Sequence, residues 1–115
     1  MMENSSRDDF VIGPHRISCD DEQRALILDG RLSIHFSPIQ YKLIKPLVES
    51  RQVPVCDAEL VQVAYASENW REMHENLDKH FDNIRSKLRP HGLNTYRVTS
   101  YGYALMALPG SGNDP

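Results

Sequence analysis

Apolar residues in the first third of the chain come in short runs broken by turn residues. Phe10-Val11-Ile12 and Arg16-Ile17-Ser18 flank Gly13-Pro14, and Ala25-Leu26-Ile27-Leu28 leads through Asp29-Gly30 into Arg31-Leu32-Ser33-Ile34-His35-Phe36. Asp-Gly between two such runs is a hairpin signal, because tight turns of this kind need positive φ. Period-two alternation puts Leu32, Ile34 and Phe36 on one strand face and Arg31, Ser33 and His35 on the other. A small antiparallel sheet is expected here.

The period then changes. Ser37-Pro38-Ile39-Gln40 reads as a helix start: Ser37 can cap, Pro38 suits the first position, and Gln40 completes a capping box. Ile39, Leu43 and Leu47 recur every four residues as a buried stripe. Pro46 cannot donate to the Lys42 carbonyl, so a kink or early end near Lys45 is expected. Asp57 caps a second helix, Glu59 lies near its positive end, and Leu60, Val63 and Ala64 form its apolar face. Residues 67–75, polar apart from Trp70 and Met73, read as a loop.

Asn76 is the expected cap of a third helix, over 76–90. Leu77, Phe81, Ile84 and Leu88 fall within a narrow arc at ~100° per residue, while Lys79, Asp82, Asn83, Ser86 and Arg89 face the opposite way. Pro90 and Gly92 end it. Tyr96 to Ser100 and Tyr103 to Leu108 read as two strands joined at Tyr101-Gly102. The fold class is α+β: an antiparallel sheet, three helices and a C-terminal hairpin, the order of a winged helix-turn-helix. The domain spans 10–108, between polar segments at 1–9 and 109–115 expected to be disordered.

Composition narrows the function classes. The 115 residues, 40% hydrophobic and 25% charged, suit one globular domain. There is no run of membrane-spanning length and no secretory h-region, so a cytoplasmic location is expected. Cys19 and Cys56 form no C-x-x-C pair and the five histidines show no metal spacing. Asp8-Asp9 and Asp20-Asp21-Glu22 read as solvated turns. With neither a nucleophile elbow nor a phosphate-binding glycine loop, no catalytic residue, metal or cofactor is expected. The net charge of -3 is polarised. Residues 76–103 hold five basic side chains against Asp78 and Asp82, whereas residues 1–75 hold eight basic and thirteen acidic ones. Such a chain can turn its positive end towards a polyanion.

Leu77-Asp78-Lys79-His80-Phe81-Asp82-Asn83-Ile84-Arg85-Ser86-Lys87-Leu88 is similar to the V-D-x-H-I-x-x-L-R-x-K-L of the effector domain of OmpR/PhoB-type bacterial response regulators. Tyr101-Gly102-Tyr103-Ala104-Leu105 resembles that family's wing motif, G-x-G-Y-x-L. Leu28-Asp29-Gly30 and Ser37 to Ile44 resemble its strand turn and first helix. The likeness covers residues 10–108. It implies a transcriptional regulator that sets its third helix in a major groove and binds direct repeats as a dimer, with the 67–75 loop available to RNA polymerase. By position it implies Lys79 and Asn83 at base edges with Ser86 beside them, Arg85 and Lys87 near the backbone, and Thr99 on the wing at a minor groove. Apart from the resemblance, Trp70 reads as a lid over the core or, with Met73, as an anchor for a protein partner. The chain departs from the family at Asp82 or Asn83, where a cation is usual, at Thr99 for a wing cation, at Glu75 for an Arg, and at Tyr65 for a Trp. No receiver domain precedes it, so the expectation is a stand-alone regulator or a fragment.

Asn83 can pair bidentately with adenine and Lys79 can donate to guanine. Arg85, Lys87, Arg89 and Arg97 are the expected phosphate partners. Asp82 can only accept: it either accepts a hydrogen bond from cytosine N4 or repels phosphate. His80 reads as a packed histidine, and Tyr96, Tyr101 and Tyr103 as wing packing. Two readings follow: a sequence-specific DNA-binding regulator, favoured by the cationic helix end, or a winged-helix protein-interaction module, favoured by Asp82, Glu75, Thr99 and the acidic total.

Overall fold

The computed structural model describes residues 9–65 and 70–108, with the side chains of all but 65 and 70–76. The expected disorder of 1–9 and 109–115 thus falls, apart from Asp9, outside the described residues. Four strands, β1 (Phe10–Ile12), β2 (His15–Asp20), β3 (Ala25–Leu28) and β4 (Leu32–His35), form an antiparallel sheet in sequence order. Leu28 pairs with Leu32 across the Asp29-Gly30 turn, where both residues take positive φ, 56° and 72°. Ile34 and Phe36 are buried as the alternation requires, but Leu32, at the turn, is exposed.

Helix α1 (Pro38–Glu49) carries the full capping box: Gln40 N–H donates to the Ser37 hydroxyl, and Ser37 N–H to the Gln40 side chain. The helix runs through Pro46 to Glu49 and is not cut short. The carbonyl left without a donor belongs to Lys42, an exposed residue where water can serve it. A two-residue strand, β5 (Val55–Cys56), precedes α2 (Asp57–Tyr65). The buried face of α2 is Leu60, Val61 and Ala64, whereas Val63, expected inside, is exposed.

Helix α3 spans Trp70–Leu88 and passes into a 3₁₀ turn, Arg89–His91, that ends at Gly92 in the left-handed region. Residues 70–75, expected in a loop, are therefore helical, and Asn76 is an interior residue rather than a cap. In the sequence, Trp70 and Met73 continue the apolar spacing of Leu77, Phe81, Ile84 and Leu88 by about two further turns. Strands β6 (Leu93–Val98) and β7 (Gly102–Ala107) form the wing, and β5 joins β7 to make a three-stranded sheet ordered β5-β7-β6. The wing turn is Thr99-Ser100-Tyr101, with Ser100 at φ 62°, not Tyr101-Gly102. Gly102 is a strand residue: a Cβ there would lie 1.8 Å from the Val55 carbonyl oxygen, so the glycine admits β5 rather than making the turn.

One core unites these layers, from Phe10, Ile12 and Ile17 of the first sheet to Leu43 and Leu47 of α1, Leu60 of α2, Phe81 and Ile84 of α3, and Tyr103 and Leu105 of β7. His15 ties the layers at the surface, its Nδ1 2.8 Å from the Asp29 carboxylate and its Nε2 2.7 Å from the His91 carbonyl oxygen. No helix among the described residues is long and apolar enough to cross a membrane.

Candidate nucleic-acid interface

Helix α3 is anchored along three lines. Its apolar arc, Leu77, Phe81, Ile84 and Leu88, is fully buried. On the wing flank the Tyr103 ring stacks on Phe81, centroids 3.9 Å apart, and its hydroxyl donates to the Asp78 carboxylate. On the other flank Lys87 donates to the His35 carbonyl at 2.8 Å and to Gln40 Oε1 at 3.2 Å, with its ammonium 5.2 Å from the Phe36 ring centroid. Asp78 and Lys87 are nine residues apart, ~180° around the helix. The face left between them points away from the protein.

Lys79, Asp82, Asn83, Ser86 and Arg89 are all exposed on that face. Four of the expected DNA contacts, Lys79, Asn83, Ser86 and Arg89, are thus brought together. Neither Lys79 nor Arg89 has an ion-pair partner among the described residues. Ser86 Oγ donates back to the Asp82 carbonyl at 3.2 Å. Thr99 lies exposed in the wing turn beside Ser100 and Tyr101.

The other three expected contacts have partners within the fold. Arg85 is ion-paired with Asp82 one turn earlier, Lys87 holds α3 to α1 and β4, and Arg97 Nη1 lies 2.7 Å from Asp57 Oδ1 with its guanidinium 5.1 Å from the Tyr103 ring centroid. Sequence reasoning assigned Arg85 and Lys87 by helix position and Arg97 by its charge, and two of their partners, Asp57 and the His35 carbonyl, are remote in sequence. It also missed Tyr101, which is half exposed in the turn rather than packed, and Gln40, whose single oxygen serves both the α1 cap and Lys87. The side chains of Trp70 and Met73 lie outside the described residues, as do residues 67–69 of the expected 67–75 loop.

Ionisable groups elsewhere are structural. Burial first, then the charge of Glu49, pushes the Cys19 thiol up to about 11, so it stays protonated. Burial and the bond to Asp78 raise the Tyr103 phenol, which remains a donor. His80 is half-buried and its pKa is lowered by that burial. Among the described residues no group of three His, Cys, Asp or Glu side chains could hold a metal ion.

No family model matches this chain, and no curated protein does so by sequence. Among solved structures it is similar to the DNA-binding domain of the response regulator AdeR in complex with an intercistronic region. The TM-score is 0.61 over 78% of this chain and 92% of that one, at 20% identity. The shared architecture is an N-terminal antiparallel sheet, three helices and a C-terminal hairpin. The chain has the winged-helix fold of OmpR/PhoB-type DNA-binding domains.

Proposed function

We propose that this chain is a sequence-specific DNA-binding transcriptional regulator, with α3 in the major groove and the wing turn at the adjoining minor groove. The observation that carries this is the outward face of α3. It is held by contacts on three sides, bears Lys79, Asn83, Ser86 and Arg89, and belongs to a fold whose AdeR example is in complex with DNA. A helix fixed this way can enter a groove without rearrangement, and its cations and amide supply base-edge and phosphate contacts. With few cations available, a single domain binds weakly. Two copies on a direct repeat raise the effective concentration of the second. The segment at 67–75 is the proposed contact for RNA polymerase, and the cytoplasm the proposed location.

The test is selection of the purified chain on a random duplex pool, with affinity for the enriched sequence measured at several salt concentrations. An enriched direct repeat with salt-dependent affinity is expected. Absence of enrichment at low salt overturns the proposal. A second reading, a winged-helix protein-interaction module, is favoured by one observation: Arg85, Lys87 and Arg97 are engaged inside the fold. It predicts capture of a protein partner by the same face, lost on Asn83→Arg.

A further inference from the structure

We infer that Asp82 reads a base: its carboxylate accepts a hydrogen bond from the exocyclic amino group of cytosine at one position of the bound site. This rests on the DNA-binding reading above. A bare carboxylate facing a groove would be repelled by the flanking phosphates. In this protein it is not bare, because Arg85 is ion-paired to it from one turn along the helix. The two partners are unequally placed. Asp82 keeps 64% of its side-chain surface exposed and Arg85 only 30%, so the carboxylate is the outward member of the pair and the guanidinium supports it from the flank. Asp82 also sits between Lys79 and Ser86 on the outward face, at the helix depth of Asn83.

An ionised carboxylate offers acceptors only. Guanine and thymine present acceptors in the major groove, O6 and N7 or O4, and would meet it acceptor to acceptor. Adenine presents a donor next to the N7 acceptor, whereas cytosine presents its N4 amino donor alone. Cytosine is therefore the base that an arginine-supported carboxylate selects. This reverses the polarity of a cation at the same place, which would select guanine.

The test compares wild type and Asp82→Ala by selection on a random duplex pool, followed by affinities for the preferred site and its three single-base variants. The wild type is expected to prefer cytosine at one position by about five- to tenfold, the lower end of base discrimination by a good contact. Asp82→Ala is expected to lose that preference, keep the rest of the motif, and gain affinity only at the non-cytosine variants, where Arg85 is released without a hydrogen bond being lost. A uniform gain in affinity with an unchanged motif would show that Asp82 only repels phosphate, and would overturn the inference while leaving the DNA-binding reading intact. No enriched motif with the wild type would overturn both.

Discussion

Arg97 in the wing and Asp57 at the start of α2 bind two elements whose residues are forty positions apart, with 2.7 Å between Nη1 and Oδ1. A second link runs alongside, from the Asp57 backbone N–H to the Tyr101 carbonyl at 2.8 Å. The wing turn is thus fastened at both its carbonyl and its cation. The carboxylate is buried and the guanidinium keeps 31% exposure, so the pair is worth about what a charge-assisted hydrogen bond is. Arg97→Ala is expected to lower stability by about 1–3 kcal/mol, measured from urea midpoints. On the proposed DNA-binding reading its DNA affinity, corrected for the folded fraction, should keep the wild-type salt dependence. A flatter dependence at unchanged stability would mean that Arg97 meets phosphate instead.

Tyr103 links the wing to α3 in two ways that substitution can separate. Tyr103→Phe keeps the stack on Phe81 and removes the hydroxyl that donates to Asp78, at an expected cost of about 1 kcal/mol. Tyr103→Ala also removes a fully buried ring and should cost about 3–5 kcal/mol. Equal losses for the two, by chemical denaturation, would show that the hydroxyl carries the link.

At Gly102 the backbone of β5 passes where a side chain would start, 1.8 Å from a Cβ to the Val55 carbonyl oxygen. Backbone cannot yield as a flexible side-chain tip can. Gly102→Ala should therefore force β5 off β7, with a loss of about 3 kcal/mol or more. Amide exchange at Val55 and Cys56 should rise first. Unchanged protection there would mean that the two strands can re-pair around the methyl.

What the sequence revealed and what it hid divide along physical lines. The capping box at Ser37 and Gln40, the Asp29-Gly30 turn and the arc Leu77, Phe81, Ile84 and Leu88 are local patterns, and each appears where its spacing puts it. Asn76 misled because a good cap residue also sits inside helices, at a cost of only about 0.7 kcal/mol. Gly102 misled because glycine serves both turns and close approaches, and only the presence of β5, itself two residues long, tells them apart. The outward face of α3 was legible from periodicity. The partners of Lys87 and Arg97 were not, since they lie 52 and 40 residues away.

Acid should weaken the fold in a definite way. The Tyr41 hydroxyl at 2.5 Å, and then Lys45 at 2.9 and 3.0 Å, hold the Asp21 carboxyl below its usual value. The backbone N–H of Arg16, and then His15, do the same for Asp29. A carboxyl lowered by folding contributes stability above its unfolded pKa of ~3.9, and that contribution is lost as pH falls through the folded value. The contribution of these two carboxyls is thus expected to hold from neutrality to about pH 4 and to be lost below it, while His80, its pKa lowered by burial, takes some stability away once pH falls below its unfolded value of ~6.5. Asp21→Asn should begin less stable and show a shallower acid fall. Parallel curves for variant and wild type would exclude Asp21 as a source.

The engaged cations also set how binding must respond to salt. Lys79 and Arg89 stand on the outward face with no ion pair among the described residues, whereas Arg85, Lys87 and Arg97 each hold a partner. On the proposed DNA-binding reading these two cations, Arg89 at phosphate and Lys79 in the groove, displace about two counterions per domain, which gives an expected slope of log affinity on log salt near -1.8, and about twice that for two domains on a repeat. Arg89→Ala should flatten the slope by about 0.9 per domain and leave stability unchanged. Lys87→Ala should do the reverse, costing about 1 kcal/mol of stability through the lost bonds to β4 and α1 while keeping the slope. A wild-type slope of about -4.5 per domain would mean that the engaged cations exchange their partners for phosphate on binding, with the Asp82 carboxylate losing its arginine at that moment.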